Sequence, residues 1–188
     1  MIIAVKDKDR VVVGSCNGDF WSGYTDKTLC DPDNVPIRFT EDGTLFACSH
    51  TDARSDLLLY NEELLQKEIT PKSMEREISP FVKKTMEEAH FVENNHWGNA
   101  LLVCRDNRLF DLSPTFTVSE VGDFACHGIK LHLLFGVLDM NADKDAEARI
   151  VEAYTFYERA TGQRLFPIVI SDTKTKETKI VYEGGTSK

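Results

Sequence analysis

The chain has 188 residues, with 22 Lys and Arg against 31 Asp and Glu, a formal charge of −9, and 41% hydrophobic residues. With 11 Gly and 6 Pro it is not collagen-like or low-complexity, and its length suits one domain, residues 1–188, burying roughly 70% of its unfolded surface. The acidic balance, whose longest basic run is Lys83-Lys84, argues against a nucleic-acid partner, because phosphate neutralisation needs clustered cations.

The elements follow in chain order. Ile2 to Val5 and Val11 to Val13, joined by the charged turn Lys6 to Arg10, read as a hairpin, and their unbroken apolar character predicts strands covered on both faces. Residues 16–34 are polar and irregular. Ile37 to Phe39 and Thr44 to Cys48 flank Glu41-Asp42-Gly43, a second hairpin signal. Leu57, Leu58, Tyr60, Leu64 and Leu65 then lie on one helical stripe. A second helix is expected from near Ser73, with Pro71 just outside it, through Ile78, Val82, Met86 and Phe91; Pro80 predicts a kink or a later start near Ser79. Strands return at Ala100 to Cys104, Arg108 to Leu112, Thr115 to Val121 and Phe124-Ala125. Helices are expected over Ile129 to Met140 and Ala146 to Thr161, the latter ended by Gly162. Pro167 to Ser171 and Lys179 to Tyr182 close the chain as a last hairpin. Strands, two helices, strands and two helices predict an α+β fold, a four-layer αββα sandwich of two stacked antiparallel sheets between helix pairs.

Five cysteines, at 16, 30, 48, 104 and 126, form no CxxC and read as reduced thiols of a cytoplasmic protein. The opening Met-Ile-Ile-Ala-Val-Lys-Asp is no signal peptide, no apolar stretch reaches the roughly 20 residues a membrane helix needs, and no motif asks for a cofactor. His90, His96 and Trp97 fit either a ligand-binding loop or a helix end with solvent-facing imidazoles. Phe20, Trp21 and Tyr24 fit a packing cluster or a partner contact.

Several segments together resemble the N-terminal nucleophile hydrolases, in particular the proteasome β subunit and the HslV-type protease. They are Ile3-Ala4-Val5-Lys6 with Val11-Val12-Val13-Gly14, Gly43 to Ala47 ending in Thr51-Asp52-Ala53, Leu101-Leu102-Val103 with Arg108-Leu109-Phe110, and Phe124 to Gly128 with Gly136-Val137-Leu138-Asp139. The resemblance implies a nucleophile at the start of the first strand, with its own α-amine as base. Here it places Met1, without hydroxyl or thiol, at or one residue after that position. Bulky Ile2 disfavours removal of Met1, and the reading expects no propeptide. The family's acidic residue falls at Cys16 and its lysine at Asn34. Its oxyanion glycine falls at Cys48, beside Ser49, and its supporting serine at His127, between Cys126 and Gly128. Glu158, Thr161 and Gly162 keep an Asp-x-x-Ser-Gly pattern in chemical type. Phe46 and His50 are grouped with the same pocket.

On this resemblance the inherited cleft holds Met1, Cys16, Asn34, Phe46, Cys48, Ser49, His50, Cys126, His127, Gly128, Glu158 and Thr161. Three readings of it stay open: substitutions tolerated after loss of activity, a thiolate of Cys16 or Cys48 working with His127, and a zinc site from Cys16, Cys48, His50 and His127. The function implied is a self-assembling subunit, a homo-oligomeric dimer or ring or a companion of related subunits, lacking threonine-peptidase activity. The alternative is a hydrolase of peptide or amide bonds, with a peptide or small amide as ligand.

Overall fold

Ile2-Ile3-Ala4-Val5 and Val11-Val12-Val13 are fully buried, and the reason is that both lie near the middle of a sheet packed on each side. The computed structural model describes residues 1–16, 35–128, 131–163 and 165–182. Its first elements are β1 (Ile2–Asp7), β2 (Arg10–Cys16), β3 (Ile37–Phe39), β4 (Leu45–Cys48), α1 (Ala53–Leu59) and α2 (Glu62–Leu65). Next come α3 (Pro71–Ser73), a π turn (Met74–Ile78) and α4 (Ser79–Glu88). The chain continues with β5 (Leu101–Arg105), β6 (Arg108–Leu112), β7 (Val118–Val121), β8 (Phe124–His127), α5 (Leu131–Met140), α6 (Ala146–Thr161), β9 (Ile168–Asp172) and β10 (Glu177–Val181).

The strands form two five-stranded sheets, β10-β9-β2-β1-β8 and β3-β4-β5-β6-β7. Each pairing is antiparallel, with Ala4 opposite Val13 and Ala125, and Ala47 opposite Leu102 and Ile37. Side chains alternate along a strand, so each strand serves two clusters. Ile2, Ala4, Val11 and Val13 meet Leu45, Ala47, Leu102, Cys104 and Leu109 in a cluster shared by the two sheets. Ile3, Val5 and Val12 pack instead with Leu134, Leu138, Ile150, Tyr154 and Tyr157 of α5 and α6. Phe46, Leu101, Val103 and Phe110 pack with Leu58, Leu64, Met74, Ile78, Val82 and Met86 of the first helices. Burying each such side chain contributes roughly 1.5–3 kcal/mol.

The helical stripe after Thr51 is broken rather than continuous. Asp52 caps α1 by accepting from the backbone N–H groups of Arg54 and Ser55 at 3.0 and 3.1 Å. Asn61 starts a new helix by accepting from Leu64 N–H at 3.1 Å, an alternative to helix that short polar side chains offer the backbone. The next helix begins earlier than expected. Thr70 and Ser73 form a capping box and Pro71 occupies the first turn instead of lying outside, where its missing N–H costs nothing. The regular α-helix α4 then starts at Ser79 with Pro80 in its first turn, the later start that this proline predicts. The π turn immediately before it widens the backbone, relieving the clash a proline ring makes with the carbonyl four residues back. Phe91 lies beyond α4. β7 is shorter than expected because Phe116 turns left-handed at φ 64°, closing a turn in which Phe116 N–H donates to Ser113 O at 3.0 Å.

Gly14 permits a close approach of α6 to its sheet, because a Cβ there would clash with Ile150 Cγ2 and lie 3.1 Å from Tyr154 Cε2. Gly14→Ala is expected to cost about 1–3 kcal/mol through overpacking. Urea denaturation should show a lower midpoint with an unchanged slope.

Candidate functional site

Met1 is held from four sides. Its α-ammonium donates to Ser49 O at 3.2 Å. Its carbonyl accepts from Cys16 N–H at 3.2 Å and from the Tyr154 hydroxyl at 3.2 Å. Its side chain is only 4% exposed and lies over Gly128, where a Cβ would sit 2.8 Å from Met1 Cγ and 3.0 Å from Met1 Cβ. The start of β1, the middle of α6 and the ends of β2, β4 and β8 thus converge on one residue.

Two imidazoles border this place. His50 is half-buried, and burial together with the nearby Met1 ammonium holds it below its ordinary pKa, Asp52 opposing and Arg54 adding to the effect; the neutral ring is favoured. His127 Nε2 lies 2.9 Å from both carboxylate oxygens of Asp111, and the two side chains are 17% and 22% exposed. The pair ties β8 of one sheet to β6 of the other. Asp111 was not singled out in the sequence, although it carries a signal: it shares strand parity with the inward-facing Leu109, so a carboxylate stands at a core-facing position.

The remaining candidates are distributed rather than gathered. Cys16 and Cys126 lie in the cluster beneath α5 and α6. Phe46 and Cys48 face the opposite way, among the first helices, while His127 has the parity of Ala125, in the cluster between the sheets. Cys16, Cys48 and His127 therefore occupy three different faces and do not assemble as a thiol–imidazole pair. Burial, with Asp111 adding to it, pushes the Cys126 thiol up to about 12. Burial does the same to Cys48, to about 12, against a smaller opposing hydrogen bond from Ser55, and it raises the Cys104 thiol too. All three are protonated at neutral pH, and a protonated thiol is a poor nucleophile and a poor ligand. Among the described residues no three His, Cys, Asp or Glu side chains converge for a metal ion.

Ser49 Oγ accepts from Ala100 N–H at 3.0 Å, stitching β4 to the start of β5. Glu158 Oε1 accepts from Phe166 N–H at 3.0 Å and from Leu165 N–H. Thr161 Oγ1 donates to Tyr157 O at 2.7 Å. The Glu158 and Thr161 bonds fasten the end of α6 and the chain leaving it. Asn34, Cys30, Phe20, Trp21 and Tyr24 lie outside the described residues. The site offers an ammonium group, two imidazoles and one carboxylate.

No family model matches the chain, and no curated protein does. Solved structures match it throughout. BPH of Thiobacillus denitrificans in complex with epoxomicin superposes with a TM-score of 0.74 at 14% identity, over 92% of this chain and 97% of that one. A second structure of Thiobacillus denitrificans BPH gives 0.72 at 15% identity, over 92% of this chain and 97% of that one. Anbu, an ancestral beta-subunit from Yersinia bercovieri, gives 0.69 at 10% identity, over 98% of this chain and 88% of that one. The chain shares the fold of these proteasome-like proteins.

Two outcomes follow from the geometry. Asp111→Ala and His127→Ala should each destabilise the protein, and a double-mutant cycle in urea should return a coupling of about 1 kcal/mol or more. A thiol pKa raised in the folded state means that the unfolded chain loses its proton first. The contribution of Cys48 is then complete below its ordinary value of 9.0 and is lost as pH rises toward about 12. Stability measured between pH 7.5 and 10.5 should fall less steeply for Cys48→Ala than for the parent chain.

Proposed function

We propose that this protein is a proteasome-β/HslV-like subunit that lacks the threonine-peptidase reaction and acts as a structural or ligand-binding member of an assembly. Residues 1–188 then form one four-layer αββα domain, at work in the cytoplasm as a homo-oligomer or beside related subunits. The fold shared with BPH and Anbu supports the family.

One observation carries the loss of activity. The place where the resemblance puts the nucleophile is filled by the thioether of Met1, buried over Gly128. Acyl transfer by this fold needs a hydroxyl or thiol there, activated by an adjacent base. A thioether has no proton to give up, and the α-ammonium is engaged with Ser49 O. The thiols that could replace it are buried, and those of Cys48 and Cys126 are held protonated. His127 has its carboxylate partner, but no described hydroxyl or thiol is hydrogen-bonded to its ring.

Fluorogenic peptide and amide panels should show no turnover above buffer, and epoxomicin, the compound held by the Thiobacillus protein, should leave the mass unchanged. Hydrolysis abolished by Cys16→Ala or Cys48→Ala would overturn this reading in favour of a rebuilt thiol hydrolase. Met1→Thr, exposed by cleaving an N-terminal tag, is the gain-of-function control. Light scattering should give a multiple of 21.3 kDa; a monomer at micromolar concentration would remove the assembly part.

A further inference from the structure

The segment His90 to Gly98 is built as a wall. His90 adopts φ 58° just after α4, where His90 N–H donates to Glu87 O at 3.1 Å and Phe91 N–H to Met86 O at 2.9 Å. This is a Schellman ending with histidine in the position glycine usually takes. Glu93 and His96 then exchange backbone hydrogen bonds of 2.9 Å each, closing a tight turn whose central residues, Asn94 and Asn95, are both left-handed at φ 51° and 59°. Trp97 anchors the segment from inside, fully buried with its indole N–H on Ser113 O at 3.2 Å.

Arg54 completes the enclosure. Its guanidinium lies 5.5 Å over the Phe91 ring, and Asp52 Oδ2 engages Nη1 at 3.2 Å, while Nε is buried with no hydrogen-bond partner among the described residues. Between Arg54 and the segment lies a cavity of about 450 Å³, lined among others by His90, Glu93, Asn94 and His96. No residue of the Met1 cleft lines it. The volume falls within the roughly 300–1,000 Å³ of small-molecule sites.

The wall chemistry selects the occupant. His96 Nδ1 accepts from Gly98 N–H at 3.1 Å, so the neutral ring carries its proton on Nε2 and presents a donor. Arg54 and His96 together suit an oxyanion such as a carboxylate. A simple anion is nevertheless disfavoured, because Asp52 already offsets Arg54 and the Glu93 carboxylate leaves the lining negative. A simple cation would pair with Glu93 but lie against the like charge of the Arg54 guanidinium. A molecule carrying both charges satisfies both ends.

The geometry points to a binding site for a small zwitterion, a free α-amino acid or a dipeptide, with its carboxylate toward Arg54 and His96 and its ammonium toward Glu93. The test is titration of the full chain, labelled with nitrogen-15, with glycine, leucine, diglycine, acetate, methylamine and N-acetylglycine, reading the backbone amides of residues 90–98. Saturable shifts are expected with the amino acids or with diglycine, and the stronger of these two arms identifies the source. Acetate, methylamine and N-acetylglycine should bind at least about tenfold more weakly, a difference of roughly 1.4 kcal/mol. Arg54→Gln and Glu93→Gln should each weaken binding about tenfold or more; Glu93 is exposed, so its variant keeps the test valid if loss of Arg54 disturbs α1. No saturable shift with any zwitterion, equal binding of acetate, or unchanged binding by Glu93→Gln would each overturn the proposal.

Discussion

The structure depends on one constraint: both sheets are packed on both faces, so each buried strand must supply apolar side chains in two directions at once. Ile2 and Ala4 face the second sheet while Ile3 and Val5 face α6. Shifting any pairing by one residue would exchange those two sets and leave both clusters mismatched in volume, which is why the registers are strongly specified. Gly14 belongs to the same constraint, since the helix above it sits too close for a methyl group.

The alternation also decides the chemistry of the cleft. Cys126 and His127 are neighbours in sequence but lie on opposite faces of β8, the thiol beneath the helices and the imidazole between the sheets. Cys16 and Cys48 are each buried on the helix-facing side of their own sheet. Residue types that on paper could make a catalytic pair or a metal site are separated by the thickness of a sheet. What the fold brings together instead is a clamp on Met1 and a hydrogen-bonded pair, Asp111 with His127, that crosses from one sheet to the other. Both are arrangements that hold the end of the sandwich together.

Much of the fold was legible because its signals are local. The paired β-branched runs, Asp-Gly at the β3–β4 connection and the stripe closed by Gly162 each speak through a few consecutive residues. Ala146–Thr161 forms over the expected range for that reason. The misses also have local causes that compete with periodicity. Asn61 caps a new helix inside an apolar stripe, and a π turn over Met74–Ile78 precedes the helix that starts at Ser79, a device that leaves no mark in a pattern of 3.6. At the site, Met1 and Gly128 came from the resemblance to the N-terminal nucleophile hydrolases, whereas Asp111 could be found only by asking why a carboxylate shared the parity of core residues.

By itself, then, the sequence determined the two-sheet α+β architecture, the identity of the residue at the start of β1 and the number of thiols available. It did so because burial periodicity and turn chemistry act over a few residues. Only the tertiary structure decided which faces those thiols occupy, that Glu158 and Thr161 spend their polar atoms on the end of α6, and that Arg54 meets a segment some forty residues away to enclose a cavity. Those outcomes depend on the registry between elements remote in sequence, and strand parity, helix approach and loop closure together fix where a side chain of given chemistry comes to rest.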